Sequence, residues 1–362
     1  QALYDSLDSL YLYYRGRGQY EEGRSVFQPA IASSPPGSLF RGKLLARLAD
    51  FHGWLGEYDE AQALSKQSIK IFKAHKAKRD LGFALEVLGR LEYWLDAYPQ
   101  AQAHLQTSVA LLRQTGDTWG LTQALNTLGH VTCGLKGDDE AARPFYEESL
   151  TLARASGNHA SIARALINLG AIERNLAHYD QAQELYQESA AISREIGHRR
   201  NLAIALSNMG DVACFCDNFE QATAYLKESL AIKTELGDRF SLIYTLSHLG
   251  RVARRTDQLH KAGQWYDQAL RTAWEIGATG HVTDVLLSIA SLLAARDDGA
   301  RAAELALVAM NHTGEDQEVR AIAEELFTEM TADLPARTVA ACRQRAASQP
   351  LETVIAKILN TA

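Results

Sequence analysis

Gly37-Ser38-Leu39-Phe40-Arg41-Gly42-Lys43 has the glycine and lysine spacing of a loop that wraps a nucleotide phosphate. Such a loop next needs a Ser or Thr hydroxyl for magnesium, and Leu44 stands there. It must also follow a strand, whereas Ser33-Ser34-Pro35-Pro36 reads as a linker, so the match is coincidental. The eleven histidines are scattered, with no His-Glu-x-x-His run or other paired metal spacing. No serine sits in a Gly-x-Ser-x-Gly elbow. Glu147-Glu148, Glu188 and Glu228 recur with a longer period, which marks a solvated helix face rather than acid–base chemistry. The four cysteines, Cys133, Cys214, Cys216 and Cys342, have no metal or redox spacing and read as free thiols of a reducing, cytoplasmic compartment. The chain is therefore expected to be no enzyme and to carry no cofactor or metal.

The chemistry left is that of recognition. Asparagine amides both donate and accept, which matches a peptide backbone. Arginine guanidinium groups hold carboxylates or phosphates through charge-assisted bonds. Residues of both kinds keep step with a repeat. Small residues stand at Ala49, Gly89, Gly129, Gly170, Gly210, Gly250 and Ala290, forty residues apart except for one interval of 41. Alanines follow at Ala61, Ala101, Ala142, Ala182, Ala222, Ala262 and Ala302. A fixed period of this size is one supersecondary unit stacked many times, a solenoid that builds a long surface rather than a pocket.

One unit, Ser161 to Gly197, shows the elements. Ile162, Leu166, Leu169, Ile172 and Leu176 recur at helical steps, and a second helix runs through Ala182, Leu185, Tyr186, Ser189, Ile192 and Ile196. Gly197 closes it, as Gly116, Gly157, Gly237 and Gly277 close neighbouring units. The small residues let the paired helices approach, and Tyr58, Tyr98, Tyr179 and Phe219 plug the turn between them. The 41-residue interval comes from one extra residue in the Gly134-Leu135-Lys136-Gly137 turn. Seven clear units span 4–33, 42–75, 82–115, 122–156, 163–196, 203–236 and 243–276, and a degenerate eighth spans 283–311. The all-α chain thus divides into a solenoid over 1–311 and a capping segment over 312–362, with helices at Glu315–Met330, Thr338–Ala347 and Leu351–Leu359. A net charge of −7 argues against direct nucleic-acid binding, and no apolar run is long enough to span a bilayer.

Leu169-Gly170, Tyr179, Ala182, Glu228-Ser229-Leu230 and Glu235-Leu236-Gly237-Asp238 resemble the tetratricopeptide repeat in its 40-residue form, similar to that of Pins/LGN scaffold proteins. The resemblance implies a right-handed superhelix with a C-terminal helical cap, whose first helices line a concave face. Inward candidates are then Asn126, His130, Arg164, Asn168, Arg174, Asn208, Asp211, Tyr244, His248, Arg251, Arg254 and Arg255. Asn168 and Asn208 resemble groove asparagines that bind an extended peptide; the other reading is that they bond their own helix or a neighbouring turn. Arg251, Arg254 and Arg255 are suited either to hold an anion or to pair with Asp211, Asp217, Asp257 or Asp284. Gln317-Glu318-Val319-Arg320, Leu334-Pro335 and Leu351-Glu352-Thr353-Val354-Ile355 resemble the close of bacterial STAND-type signalling ATPases of the LuxR/AfsR/MalT kind. That resemblance implies a sensor for a peptide, a protein element or a small anionic effector, with the ATPase or output domain upstream of Gln1. The alternatives are a freestanding scaffold bridging partner proteins and the regulatory region of an upstream enzyme.

Overall fold

The computed structural model describes residues 2–136, 139–312 and 317–360; Gly137 of the expected insertion and the expected helix start at Glu315 lie outside them. The inner helices are α1 (Ala2–Arg17), α3 (Leu39–Trp54), α5 (Lys78–Trp94), α7 (Thr118–Lys136), α9 (His159–Asn175), α11 (Arg199–Phe215), α13 (Arg239–Arg255) and α15 (Thr279–Ala294). Each is followed by its outer partner: α2 (Tyr20–Ala32), α4 (Tyr58–His75), α6 (Tyr98–Thr115), α8 (Asp139–Ala155), α10 (Tyr179–Glu195), α12 (Phe219–Leu236), α14 (Leu259–Glu275) and α16 (Gly299–His312). The tail adds α17 (Gln317–Thr331), α18 (Ala336–Ser348) and α19 (Leu351–Asn360), and the described residues contain no strand. Each inner helix packs on its own partner and on the inner helix of the next unit, the contact pattern of a helical-hairpin solenoid.

Local chemistry sets the boundaries. Side chains of Asn158, Asn218 and Asp238 accept backbone N–H groups three residues on and start α9, α12 and α13. Gly116 and Gly237 end α6 and α12 at φ 69° and 63°, where a side chain would be strained. The small-residue ladder has a sharper cause than helix approach alone. A Cβ on Gly170 would lie 2.6 Å from the Tyr186 ring, and one on Gly210 would lie 2.6 Å from Leu226. Each ladder glycine therefore receives a large side chain from its partner helix, four residues after the ladder alanine. Where the ladder carries Ala49 or Ala290, that facing position is Ser65 or Ala306, so volume is exchanged across the pair. A third ladder runs through the buried serines. Ser108, Ser189 and Ser229 donate to the carbonyls of Gly82, Ala163 and Ala203 at 2.7–2.8 Å, tying each outer helix to its inner partner.

The tail closes the last repeat. Phe327, Cys342, Leu351, Val354 and Ile355 join the core formed by Leu286, Leu292 and Leu307. Helix α17 also packs against α7, a contact the repeat pattern does not announce. That contact belongs to a larger feature: the superhelix closes on itself. The Arg200 guanidinium lies 3.8 Å from the Trp54 ring centroid. Trp94 and Phe240 meet with centroids 5.5 Å apart. The Gly280 N–H donates to Asp96 Oδ2 at 2.7 Å across 184 residues of sequence. A Cβ on Gly18 would meet Leu236 at 2.8 Å, and one on Gly56 would meet Ile276 at 3.7 Å. Helices α11 to α15 thus stack on α1 to α5. Among the described residues no helix is long and apolar enough to cross a membrane.

Candidate functional site

The inner face between α1 and α5 is filled by ion pairs. Asp50 is fully buried and accepts from the Tyr11 hydroxyl at 2.5 Å, from Arg15 Nε at 3.0 Å and from Arg90. Burial alone would raise the Asp50 carboxyl, but the Arg90 and Arg15 charges with the Tyr11 bond outweigh it and hold it below its ordinary range. Arg90 also bonds Glu86 at 3.0 Å, and Lys43 and Arg47 share Asp8 at 2.9 and 2.7 Å. Arg47 lies 3.7 Å from the Phe83 ring centroid, and Trp54 packs on Trp94 at 4.7 Å. Asp50 and Arg90 each stand one residue after a member of the small-residue ladder, and Lys43 stands six before Ala49. Tyr11, Arg15 and Asp8 were not foreseen, because the first unit lacks a member of the small-residue ladder that would index its inner face.

A second hub sits four repeats on. Asp211, also fully buried, binds Arg174 Nη1 at 3.0 Å. His248 Nδ1 and Arg251 Nη1 each approach its Oδ1 at 2.9 Å, off the axis of a hydrogen bond. Burial would raise this carboxyl, but His248, Arg251 and Arg174 together hold it far below the carboxylate range. Arg255 bonds Asp217 at 2.6 Å and the Cys214 carbonyl, and Arg254 Nε is buried without a partner among the described residues. The anion site expected at Arg251, Arg254 and Arg255 is therefore not open: two of the three arginines already have carboxylates.

The asparagines divide. Asn126 donates to the Thr122 carbonyl at 2.6 Å and to Ser149 Oγ at 2.7 Å, and Asn168 donates to Asn126 Oδ1 at 2.8 Å. Both are buried and hold helices together, so the expectation that Asn168 presents its amide to a peptide gives way to a structural bond. Asn208 is half-buried, and among the described residues its amide has no partner. His130 is half-buried, stacked on Tyr93, with Nδ1 hydrogen-bonded to the Tyr146 hydroxyl at 3.2 Å; burial and then the Arg164 charge lower it to about 4. Tyr244 and Phe215 keep 40% and 38% of their surface in water, although the Tyr244 hydroxyl meets His281 Nε2 at 2.6 Å. Arg164 is half-buried, and among the described residues it has no bonding partner. One open stretch of the inner surface thus lies on α9, α11 and α13, with the Asn208 amide, the exposed rings of Phe215 and Tyr244, and the Arg164 cation. No group of three or more His, Cys, Asp or Glu side chains suited to a metal occurs among the described residues.

The tetratricopeptide-repeat family profile matches residues 80–155, 120–195 and 201–275, and a profile of anaphase-promoting complex subunit 5 matches 2–93. No curated relative matches the sequence. Among solved structures, the Rap conjugation gene regulator of plasmid pLS20 in complex with the Phr* peptide is similar at 14% identity and a TM-score of 0.60, over 82% of this chain and 77% of that one. A Rap protein complexed with competence and sporulation factor is similar at 14% identity and a TM-score of 0.58, over 96% and 99%. A STAND protein with a tetratricopeptide repeat sensor from Pyrococcus horikoshii covers 94% of this chain and 55% of its own at 13% identity and a TM-score of 0.47, too low to carry an argument. At these identities the likenesses concern the fold.

Proposed function

The chain belongs to the tetratricopeptide-repeat family, and from that premise we propose that it is a non-catalytic binding module for an extended peptide or protein segment. The segment lies along α9, α11 and α13. The observation that carries this reading is the pairing of one free groove amide, Asn208, with the exposed rings of Phe215 and Tyr244. Exposed aromatic surface supplies affinity, and the amide supplies backbone register. The complex of the Rap conjugation gene regulator with the Phr* peptide supports the ligand class. The finer reading is a cytoplasmic sensor that reports to an ATPase of the STAND type encoded upstream. It rests on the tail residues Gln317 to Arg320, Leu334-Pro335 and Leu351 to Ile355.

Panning the whole chain against a library of extended peptides tests the proposal, with hits measured by fluorescence anisotropy. Asn208→Ala is expected to weaken the hits about five- to tenfold, the worth of roughly one hydrogen bond. Phe215→Ala is expected to weaken them at least as much, through lost aromatic contact. Hits that bind both variants as tightly as the wild type place the ligand elsewhere and defeat the reading.

A further inference from the structure

Closure of the superhelix gathers Arg15 of α1, Arg90 of α5 and Arg200 of α11 around Trp54, at 5.8, 4.7 and 3.8 Å from its ring centroid, and a fourth inner-helix guanidinium, Arg164 of α9, feels the charge of all three. Three of them are neutralised. Arg15 has Asp50 at 3.0 Å, Arg90 has Asp50 and Glu86, and Arg200 has Asp238 at 2.8 Å. Arg164 has no carboxylate, carbonyl or hydroxyl oxygen bonded to it among the described residues, and its Nε is sealed from water. Arg15 spans the interior and donates to Gln123 Oε1 on α7 at 3.4 Å. Gln123 occupies in its repeat the inward place that Arg164 occupies in the next. Arg164 therefore neighbours the place where Arg15 crosses to α7, and although Glu86 attracts it, no acid is bonded to it among the described residues.

The field of this cluster is visible on its neighbours. Burial and repulsion from Arg15, Arg200 and Arg90, against the pull of Glu86, bring Arg164 down to about 9. Burial, then Arg164, Arg200 and Arg15, lower His198 to about 4. A guanidinium ordinarily keeps its proton above about pH 12, so such a site is strongly and incompletely compensated. The crowding depends on closure. Arg15 belongs to the first turn, and Arg200 is fixed by its stack on Trp54 across the seam.

We propose that a small oxyanion, a carboxylate or a phosphate, binds Arg164 inside the closed superhelix and stabilises the stacking of its turns. The planar guanidinium offers such a group two parallel N–H donors. The anion relieves the repulsion that Arg15, Arg90 and Arg200 exert on Arg164, and that repulsion is largest when the turns are stacked. An anion bound preferentially by the closed form shifts the population toward it. This site uses none of the residues, Asn208, Phe215 and Tyr244, that carry the peptide reading, and it goes beyond the function proposed above. The chemistry is that of any small oxyanion, free in solution or carried on an acidic side chain of a partner.

Thermal unfolding of the full chain at constant ionic strength, titrated with sodium phosphate and separately with sodium acetate, tests the proposal. The wild-type midpoint is expected to rise saturably, by about 2–3 °C at ten times the dissociation constant. Response to one anion only assigns the site to that chemistry, and response to both assigns it to oxyanions generally. Arg164→Gln is expected to unfold at or above the wild-type midpoint in chloride and to lose the saturable response. Arg164→Lys keeps the charge without the fork and is expected to weaken the anion about tenfold. Asn208→Ala is expected to leave the response unchanged, so failure of the peptide reading and failure of this one show separately. A flat wild-type titration with both anions, or an equal response in Arg164→Gln, overturns the proposal. Should Arg164→Gln not fold, the arginine Nε–H NMR signals of the wild type decide. A signal that moves saturably with phosphate or acetate supports the site, and signals that stay fixed overturn it.

Discussion

The seam between the turns gives the sharpest test of how this solenoid is held closed. Asp96→Gly removes the carboxylate that accepts the Gly280 N–H at 2.7 Å. Glycine also adopts the local φ of 57° without strain, so the backbone is left unchanged, while the Tyr98 hydroxyl loses its bond to Asp96 Oδ1 at 3.1 Å as well. Phe240→Ala removes the ring that meets Trp94 at 5.5 Å. A hydrogen bond to a charged group is worth about 1.5–3 kcal/mol and an aromatic pair about 0.5–1.5 kcal/mol. Together the double variant loses about 2–4.5 kcal/mol of closure, which moves the closed-to-open equilibrium about thirty- to two-thousandfold. Small-angle scattering is expected to show a larger radius of gyration. Hydrogen exchange is expected to accelerate at α1, α3, α11 and α13, while the helices within each repeat stay protected. Gly280→Ala should act in the same direction, since its Cβ would lie 2.5 Å from Asp96 Oδ1. Radii and exchange rates equal to those of the wild type in both the double variant and Gly280→Ala would refute the reasoning and show that closure is held by the tail or the interior instead.

Packing, charge and pH give three further expectations. Gly170→Ala presses a Cβ against Tyr186 and is expected to cost about 1–3 kcal/mol in urea unfolding. Adding Tyr186→Ser, which imitates the Ala49–Ser65 pair, should recover part of that loss; no recovery would sink the volume-exchange argument. Asp211→Ala strips Arg174 and Arg251 of their acid. It is expected to cost about 2–3 kcal/mol, less than a fully buried pair because both arginines keep some water. Asp217→Ala breaks an exposed pair and should cost under about 0.5 kcal/mol, so equal urea midpoints for the two variants would be decisive against the hub. His130, His198 and His281 take up a proton only near pH 4 in the folded chain, against 6.5 for an ordinary imidazole. As the pH falls from 6.5 toward 4 the unfolded chain binds protons first, so stability should decline there by up to about 1.4 kcal/mol per pH unit for each buried imidazole. Urea midpoints that match at pH 7.5 and pH 5 would exclude this, and His281→Phe should make the decline shallower.

The sequence alone determined what repeats. A period of forty residues, a ladder of small residues and closing glycines announced the helical hairpins, their boundaries and the number of units. Those features are local: a cap, a helix face and a glycine under a tyrosine each involve residues within one unit or its neighbour. The tail helices were legible for the same reason, since Val319, Leu326, Val354 and Ile355 mark their own apolar faces. The inward places of Asp211 and Arg251 followed from the ladder once the family resemblance oriented it.

Tertiary structure decided which of those inward groups remain available. Asn168 and Asn208 occupy equivalent places, yet one is bonded to Asn126 and the other is free, because only the fourth unit has an amide within reach. Arg251 and Arg164 are both inward cations, yet one faces Asp211 and the other faces more arginines. Most of all, stacking Trp54 under Arg200 and Asp96 against Gly280 depends on small per-repeat rotations summed over several units. A slight change in each rotation moves the far turn by many ångströms, so no single repeat encodes where the turns meet.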